Sequence, residues 1–269
     1  MCELFAVSSS FPACVNVCLH EFQQHGGSYN KITDGWGMAF YEGNDARIIR
    51  ETDAAYQSQH MDFIRTHDYS SSYMLSHIRQ ATMGETRLQN TQPFSRELGG
   101  SLHVFAHNGD LENMNGHLEP DAEFIPIGNS DSEFAFCDLM SCLKKSRRAR
   151  GRALEYGERL EIIRDYAGRV KDKGIFNFLY CDGEYLFVHS HKRTQADGEV
   201  KPPGLFVLTR QGCHESHRNI PGVKLQCDHD LPDMALVASM PLTDENWEPL
   251  PTQTLTVLHQ GRVKGSYSC

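Results

Sequence analysis

No run of apolar residues in the 269-residue chain approaches the roughly 20 needed to span a bilayer. The first thirty residues also lack the basic segment, apolar stretch and small-residue cleavage site of a secretory signal. Both absences predict a cytoplasmic protein with no membrane partner. Basic charge is scarce too: 26 Lys and Arg stand against 35 Asp and Glu, a net charge of −9. Phosphate binding is driven mainly by clustered Lys and Arg, so no nucleic-acid partner is expected. The one basic run, Lys144 to Arg152, falls where a helix is predicted to end. Cations facing the negative end of a helix dipole explain it, with docking of an acidic partner as the alternative. The nine cysteines are odd in number and show no C-x-x-C spacing, which argues against zinc and redox pairs and for reduced thiols. Cys14 and Cys18 share a face of a predicted helix and read as small buried apolar side chains, so no metal is assigned. Internal repeats, low-complexity tracts and long linkers are missing as well. With 39% hydrophobic and 23% charged residues the composition is that of an ordinary globular protein, and the length fits one large domain or two small ones.

What is present is an ordered series of strand and helix signals. Glu3 to Val7 is a strand that begins almost at the terminus. Phe11, Val15, Cys18, Leu19 and Phe22 recur at helical spacing up to the stop at Gly26-Gly27. Gly35 to Tyr41 and Arg47 to Arg50 form a hairpin around Gly43-Asn44-Asp45, and Asp53 to Arg65 is helical. Tyr73 to Ile78 and Ser101 to Ala106 are buried strands that end in polar, Gly-containing sequence, where a sheet edge can present side chains to a cleft. Ser130-Asp131-Ser132-Glu133 has the form of a capping box, opening a helix to about Lys145. A second helix carries Leu154, Leu160, Ile163, Ala167 and Val170 on one side and ends near Gly174. Ile175 to Cys181 and Glu184 to Ser190 flank Asp182-Gly183, a two-residue hairpin signal. Strands follow at Gly204 to Thr209, Met234 to Ser239 and Thr254 to Leu258, with Gln195 to Pro203 as the one substantial loop. This order lacks the βαβ alternation of a parallel sheet. It predicts an α+β fold of two mainly antiparallel sheets packed face to face with helices outside.

Cysteine at position 2 is small enough for an aminopeptidase to remove Met1, leaving a thiol and a free α-amine on one residue. An α-amine with a pKa of about 7.7–8.0 can accept a thiol proton near neutral pH, so nucleophile and base come together. Further segments point the same way: Asp34-Gly35-Trp36-Gly37, Ser76-His77-Ile78-Arg79-Gln80-Ala81-Thr82-Met83-Gly84, Asn90-Thr91-Gln92-Pro93-Phe94, Ala106-His107-Asn108-Gly109-Asp110 and Asn129-Ser130-Asp131-Ser132-Glu133. In this order, after Met1-Cys2-Glu3-Leu4-Phe5, they resemble the class II glutamine amidotransferases, and among them the short stand-alone members. Val237 to Leu242 with Trp247 resembles the family's C-terminal strand region.

The resemblance implies a four-layer αββα sandwich, the N-terminal-nucleophile (Ntn) hydrolase fold, as one type-2 amidotransferase domain over 1–269. It implies that Cys2 forms a γ-glutamyl thioester and that Arg79 binds the substrate α-carboxylate. Asn108, through its side-chain amide, and Gly109, through its backbone N–H, form the oxyanion hole. Asp131 takes the α-ammonium and Thr82 belongs to the substrate site. No cofactor is implied. Each role has physical sense, since a guanidinium matches a carboxylate and an amide stabilises developing negative charge. Singly, Asn108-Gly109 also reads as a turn, Arg79 as a surface ion pair and Asp131 as an acid in a first helical turn. Gln80 and Met83 depart from the family pattern, which commonly has an aromatic and a His there, and this bears on pocket shape. His77 and His107 read as orienting or packing residues. The expected activity is hydrolysis of glutamine or a related γ-glutamyl compound. The alternatives are a glutaminase subunit serving a separate synthase or amidase partner, a silent scaffold, or an amidase for penicillin-like or bile-salt-like amides. The zwitterion-suited pair Arg79 and Asp131 speaks against the last.

Overall fold

The computed structural model describes residues 2–14, 16–28, 33–67, 69–81, 85–114, 122–212 and 232–269. Strand β1 (Glu3–Ala13) leads into helix α1 (Asn16–His25), then the hairpin β2 (Trp36–Glu42) and β3 (Asp45–Glu51). A 3₁₀ turn at Ala55–Gln57 and helix α2 (Gln59–Thr66) precede β4 (Ser71–Ile78), β5 (Phe94–Leu98) and β6 (Ser101–Asn108). Helices α3 (Asp131–Arg150) and α4 (Tyr156–Val170) follow, then β7 (Asn177–Cys181) and β8 (Leu186–Ser190). The short β9 (Arg193–Thr194) and β10 (Val200–Lys201), with β11 (Phe206–Arg210), β12 (Met234–Ala238), β13 (Glu248–Pro249), β14 (Thr254–His259) and β15 (Arg262–Ser268), complete the chain.

The strands form two large antiparallel sheets among the described residues, ordered β13-β11-β12-β1-β4-β2-β3 and β15-β14-β8-β7-β6-β5. Alternation along each strand sorts the side chains into layers. Leu4 and Ala6 of β1, Leu75 of β4, Val104 and Ala106 of β6, and Ala235 and Val237 of β12 fill the space between the sheets. Phe5, Val7, Trp36, Met38 and Met74 turn outward and meet Cys18, Leu19 and Phe22 of α1 and Met61 and Ile64 of α2. Phe105, Phe178 and Phe187 leave the other sheet to meet Phe136, Leu139 and Met140 of α3 and Ile163 and Tyr166 of α4. The result is the αββα sandwich expected from the order of elements.

Several local expectations change. Phe11 lies in β1, 47% exposed, because β1 runs on to pair Ala13 with Ser71 of β4, and this tertiary pairing overrides the helical periodicity. Cys14 therefore precedes α1 and does not share a helix face with Cys18; Val15 lies outside the described residues. Among the described residues no His, Cys, Asp or Glu group is placed to hold a metal ion, and no helix is long and apolar enough to cross a membrane. Helix α3 reaches Arg150, where Gly151 at φ +67° closes it and accounts for the basic run. The capping box at its start is half formed. Ser130 Oγ accepts from Glu133 N at 3.3 Å, but the Glu133 carboxylate turns to Gly128 N at 2.7 Å and to Arg96 at 2.7 Å, since the buried acid needs a cation. The Gln195 to Pro203 loop contains β10, which pairs back onto β9 just before it, and β5 and β15 are additional strands.

Candidate active site

The layer rule that fills the core also builds the site. Cys2 shares the inward parity of Leu4, Arg79 that of Leu75, Asn108 that of Ala106, and Ser239 that of Val237. These four polar residues stand at the ends of apolar strands, so they gather at one edge of the inter-sheet space. The Cys2 Sγ accepts from Gln80 N at 3.2 Å and donates to Gln80 O at 3.3 Å. The Asn108 side-chain Nδ2 donates to Cys2 O and, at 3.4 Å, to Ser239 Oγ. Both of its protons are thus engaged, and the long arm to Ser239 is the one a stronger acceptor can displace. Asn108 Oδ1 is buried without a hydrogen-bond partner among the described residues.

Gly109 follows at φ +147°, and a Cβ there would lie 1.8 Å from Ile175 O, so only glycine fits. Arg79 is buried at 4% exposure and tied through its backbone, its N donating to Gly35 O at 2.8 Å. Asp131 opens α3. Its Oδ2 accepts from Leu111 N at 2.7 Å and its Oδ1 from Ser132 N at 2.8 Å, which couples the helix start to the chain just beyond Gly109. A carboxylate has about four acceptor directions, so these bonds leave room for a cation. Thr82 lies outside the described residues.

Burial pushes the Cys2 thiol up to about 11, against the lowering effects of the Gln80 backbone and the Arg79 charge. The group is a thiol near neutral pH, and a role as nucleophile would require a base. Neither nearby histidine offers a good one. Burial, with the Arg79 charge adding to it, drives His77 down to about 3, and neither of its ring nitrogens has a hydrogen-bond partner among the described residues. His107 packs outward toward α3, with Nδ1 2.9 Å from Ser132 Oγ and Nε2 3.0 Å from Ile175 O. The carbonyl can only accept, so Nε2 carries the proton and Nδ1 accepts from the serine.

Sequence reasoning missed the supports. Ser239 donates its N to Leu4 O at 3.0 Å and accepts from Leu4 N at 2.9 Å through Oγ. Asn177 Nδ2 donates to Asn108 O at 3.2 Å and to Lys192 O at 2.8 Å. Gln92 brackets the His107 backbone, its Nε2 donating to O at 3.2 Å and its Oε1 accepting from N at 2.6 Å. A polar residue at the inward end of an alternating apolar strand is the signal that could have found Ser239 and Asn177.

The family model described as class II glutamine amidotransferases matches residues 1–268. The chain belongs to this family. YafJ of Escherichia coli K12, named a candidate glutamine amidotransferase, is 31% identical over 252 residues, covering 93% of this chain and 94% of that one. A Haemophilus influenzae protein so named is 35% identical over 190 residues, 70% of this chain and 63% of the other. The crystal structure of a predicted glutamine amidotransferase from Pseudomonas aeruginosa superposes with a TM-score of 0.68 at 29% identity, covering 98% and 99% of the two chains. Glutamine phosphoribosylpyrophosphate amidotransferase of Bacillus subtilis shares the fold, with a TM-score of 0.62 at 17% identity. This chain spans 49% of that one. The Ntn-type amidotransferase fold is thereby established for this class II member.

The buried histidines give this family member a measurable acid limb. His77 is held at about 3 and His189, also by burial, at about 4, both below the ordinary 6.5. Between the folded and unfolded values the unfolded chain binds protons that the folded chain refuses, so stability rises with pH across this window and is lost as pH falls below about 6.5. Melting curves from pH 7 to 4 are expected to fall steadily, and His77→Leu is expected to flatten the fall. An identical slope in the variant would assign the acid limb to other groups.

Proposed function

We propose that the chain hydrolyses the γ-carboxamide of glutamine, or of a related γ-glutamyl compound, through Cys2 as an N-terminal nucleophile. The observation that carries this reading is the gathering of Cys2, Asn108 and Arg79 at one edge of the inter-sheet space, with the Asn108 side-chain amide donating to Cys2 O. Once Met1 is removed, the α-amine of Cys2 takes the thiol proton as Sγ attacks the amide carbon. The carbonyl oxygen becomes an oxyanion, which draws Asn108 Nδ2 away from Ser239 and takes the Gly109 N–H. The α-ammonium then protonates the leaving nitrogen, ammonia or an amine departs, and a γ-glutamyl thioester remains. Water, deprotonated by the same amine, attacks the thioester and releases glutamate and the thiol. Arg79 holds the α-carboxylate and Asp131 the α-ammonium, and Thr82 is assigned to the substrate site from its sequence segment alone.

The test is release of ammonia or amine from a panel of γ-glutamyl compounds, glutamine included, with Arg79→Ala in parallel. Arg79 acts in capture, and losing a charged hydrogen bond costs about 1.5–3 kcal/mol, so its KM is expected to rise roughly 10- to 100-fold, at least as much as kcat falls. A kcat loss at unchanged KM would remove Arg79 from carboxylate binding. A second reading, a glutaminase that passes ammonia to a synthase subunit, is supported by the match to 49% of the longer Bacillus enzyme. It predicts weak hydrolysis alone and stimulation by the partner. No release from any compound would favour a silent scaffold.

A further inference from the structure

Cys2 sits where strand support runs out. On one flank β1 pairs with β4 as far as Glu3↔Ile78, but on the other its ladder with β12 stops at Phe5↔Ala238. Beyond that point the flank is held by Ser239, whose N and Oγ grip Leu4, and then by Arg193 of β9. Arg193 Nη2 donates to Glu3 Oε1 at 3.0 Å, and its Nη1 donates to Ser239 O. The Glu3 and Arg193 side chains are only 3% and 8% exposed. Glu3 leaves β1 with the outward parity of Phe5, so the pair lies behind the nucleophile, on the opposite face from the thiol and Asn108.

A buried ion pair is a poor way to add stability, because desolvation offsets most of the attraction and apolar replacements often serve as well. A planar guanidinium does better at fixing geometry, with one arm on a carboxylate and the other on a backbone carbonyl. Here the two arms join the first residue of β1 to the residue after β12, the two segments between which the last turn of support for Cys2 is missing.

Resting on the reading of Cys2 as nucleophile, we propose that Arg193 and Glu3 are a positioning pair that sets where the Cys2 thiol and α-amine stand relative to Asn108 and Arg79. The pair touches neither substrate nor thiol, so its loss leaves the carboxylate and ammonium contacts intact and misplaces the attacking atom. A displacement of about 1 Å can cost on the order of 10²-fold in rate.

The test uses the full chain beginning at Cys2, with glutamine and γ-glutamyl-p-nitroanilide as substrates. Arg193→Gln is expected to lower kcat roughly 10- to 100-fold with KM changed less than about threefold. Arg193→Lys, which keeps the charge but grips one acceptor at a time, falls between the two. Glu3→Gln combined with Arg193→Gln is less impaired than the product of the single losses, because both act through one contact. The rate of Cys2 alkylation by iodoacetamide, read by peptide mass spectrometry against Cys142, follows the same order and needs no turnover. An unchanged kcat and alkylation rate in Arg193→Gln, a loss confined to KM, or single effects that simply multiply would overturn the pair. Should Arg193→Gln not fold, the Lys variant decides, and wild-type values there overturn it equally. Full turnover in Cys2→Ala would instead remove the nucleophile reading on which the pair rests.

Discussion

Cys2→Ala is expected to show no measurable γ-glutamyl hydrolysis while melting within a few degrees of the unaltered chain. Among the described residues the thiol hydrogen-bonds only to the Gln80 backbone, at 3.2 and 3.3 Å, and it belongs to none of the three apolar clusters found there. Its removal therefore takes away the proposed nucleophile and little else. The comparison with Cys18→Ala sharpens the result. Cys18 is fully buried in the cluster that holds Phe22 and Trp36, so that variant loses stability and keeps its chemistry. Turnover assays and thermal melts on both variants check the pattern, and retained hydrolysis in Cys2→Ala is the outcome that contradicts it.

Asn108→Ala is the second large effect, with kcat expected to fall roughly 10²–10³-fold and KM to move much less, because an oxyanion donor acts mainly in the transition state. The structure adds a condition. Asn108 Nδ2 also holds Cys2 O and Ser239 Oγ, so part of the loss comes from a loosened nucleophile. Iodoacetamide alkylation of Cys2 separates the two. A variant whose thiol reacts at the normal rate but whose kcat is down about a hundredfold has lost the oxyanion donor. If instead KM carries the loss and kcat stays, while Arg79→Ala shows the reverse, the roles given to the two residues are exchanged.

The fold was readable because its layers depend on strand alternation, which the apolar pattern of β1, β4, β6, β7 and β12 displays directly. The residues proposed for the site could be named because each sits in a short segment next to such a strand. What escaped the sequence was decided by partners far along the chain. β1 continues past its predicted end because Ser71 pairs with Ala13, and Glu133 abandons Ser130 N because Arg96 lies close by. Ser239, Asn177 and Arg193 act through contacts spanning 235, 69 and 190 residues, which no local window contains. Thr82 was named from its segment alone, and it lies outside the described residues.

The proposed chemistry depends on the α-amine of Cys2. An acylated nitrogen has no basic lone pair, the thiol stays protonated with a pKa of about 11, and neither His77 nor His107 is arranged to take its proton. The direct measurement is mass spectrometry of active protein before and after trapping with a glutamine-analogue electrophile. The predicted result is a chain that begins at Cys2 and carries one label on that residue. Homogeneous protein that retains Met1 and turns over at full rate would contradict it, excluding the α-amine as base and moving the proton to one of the histidines.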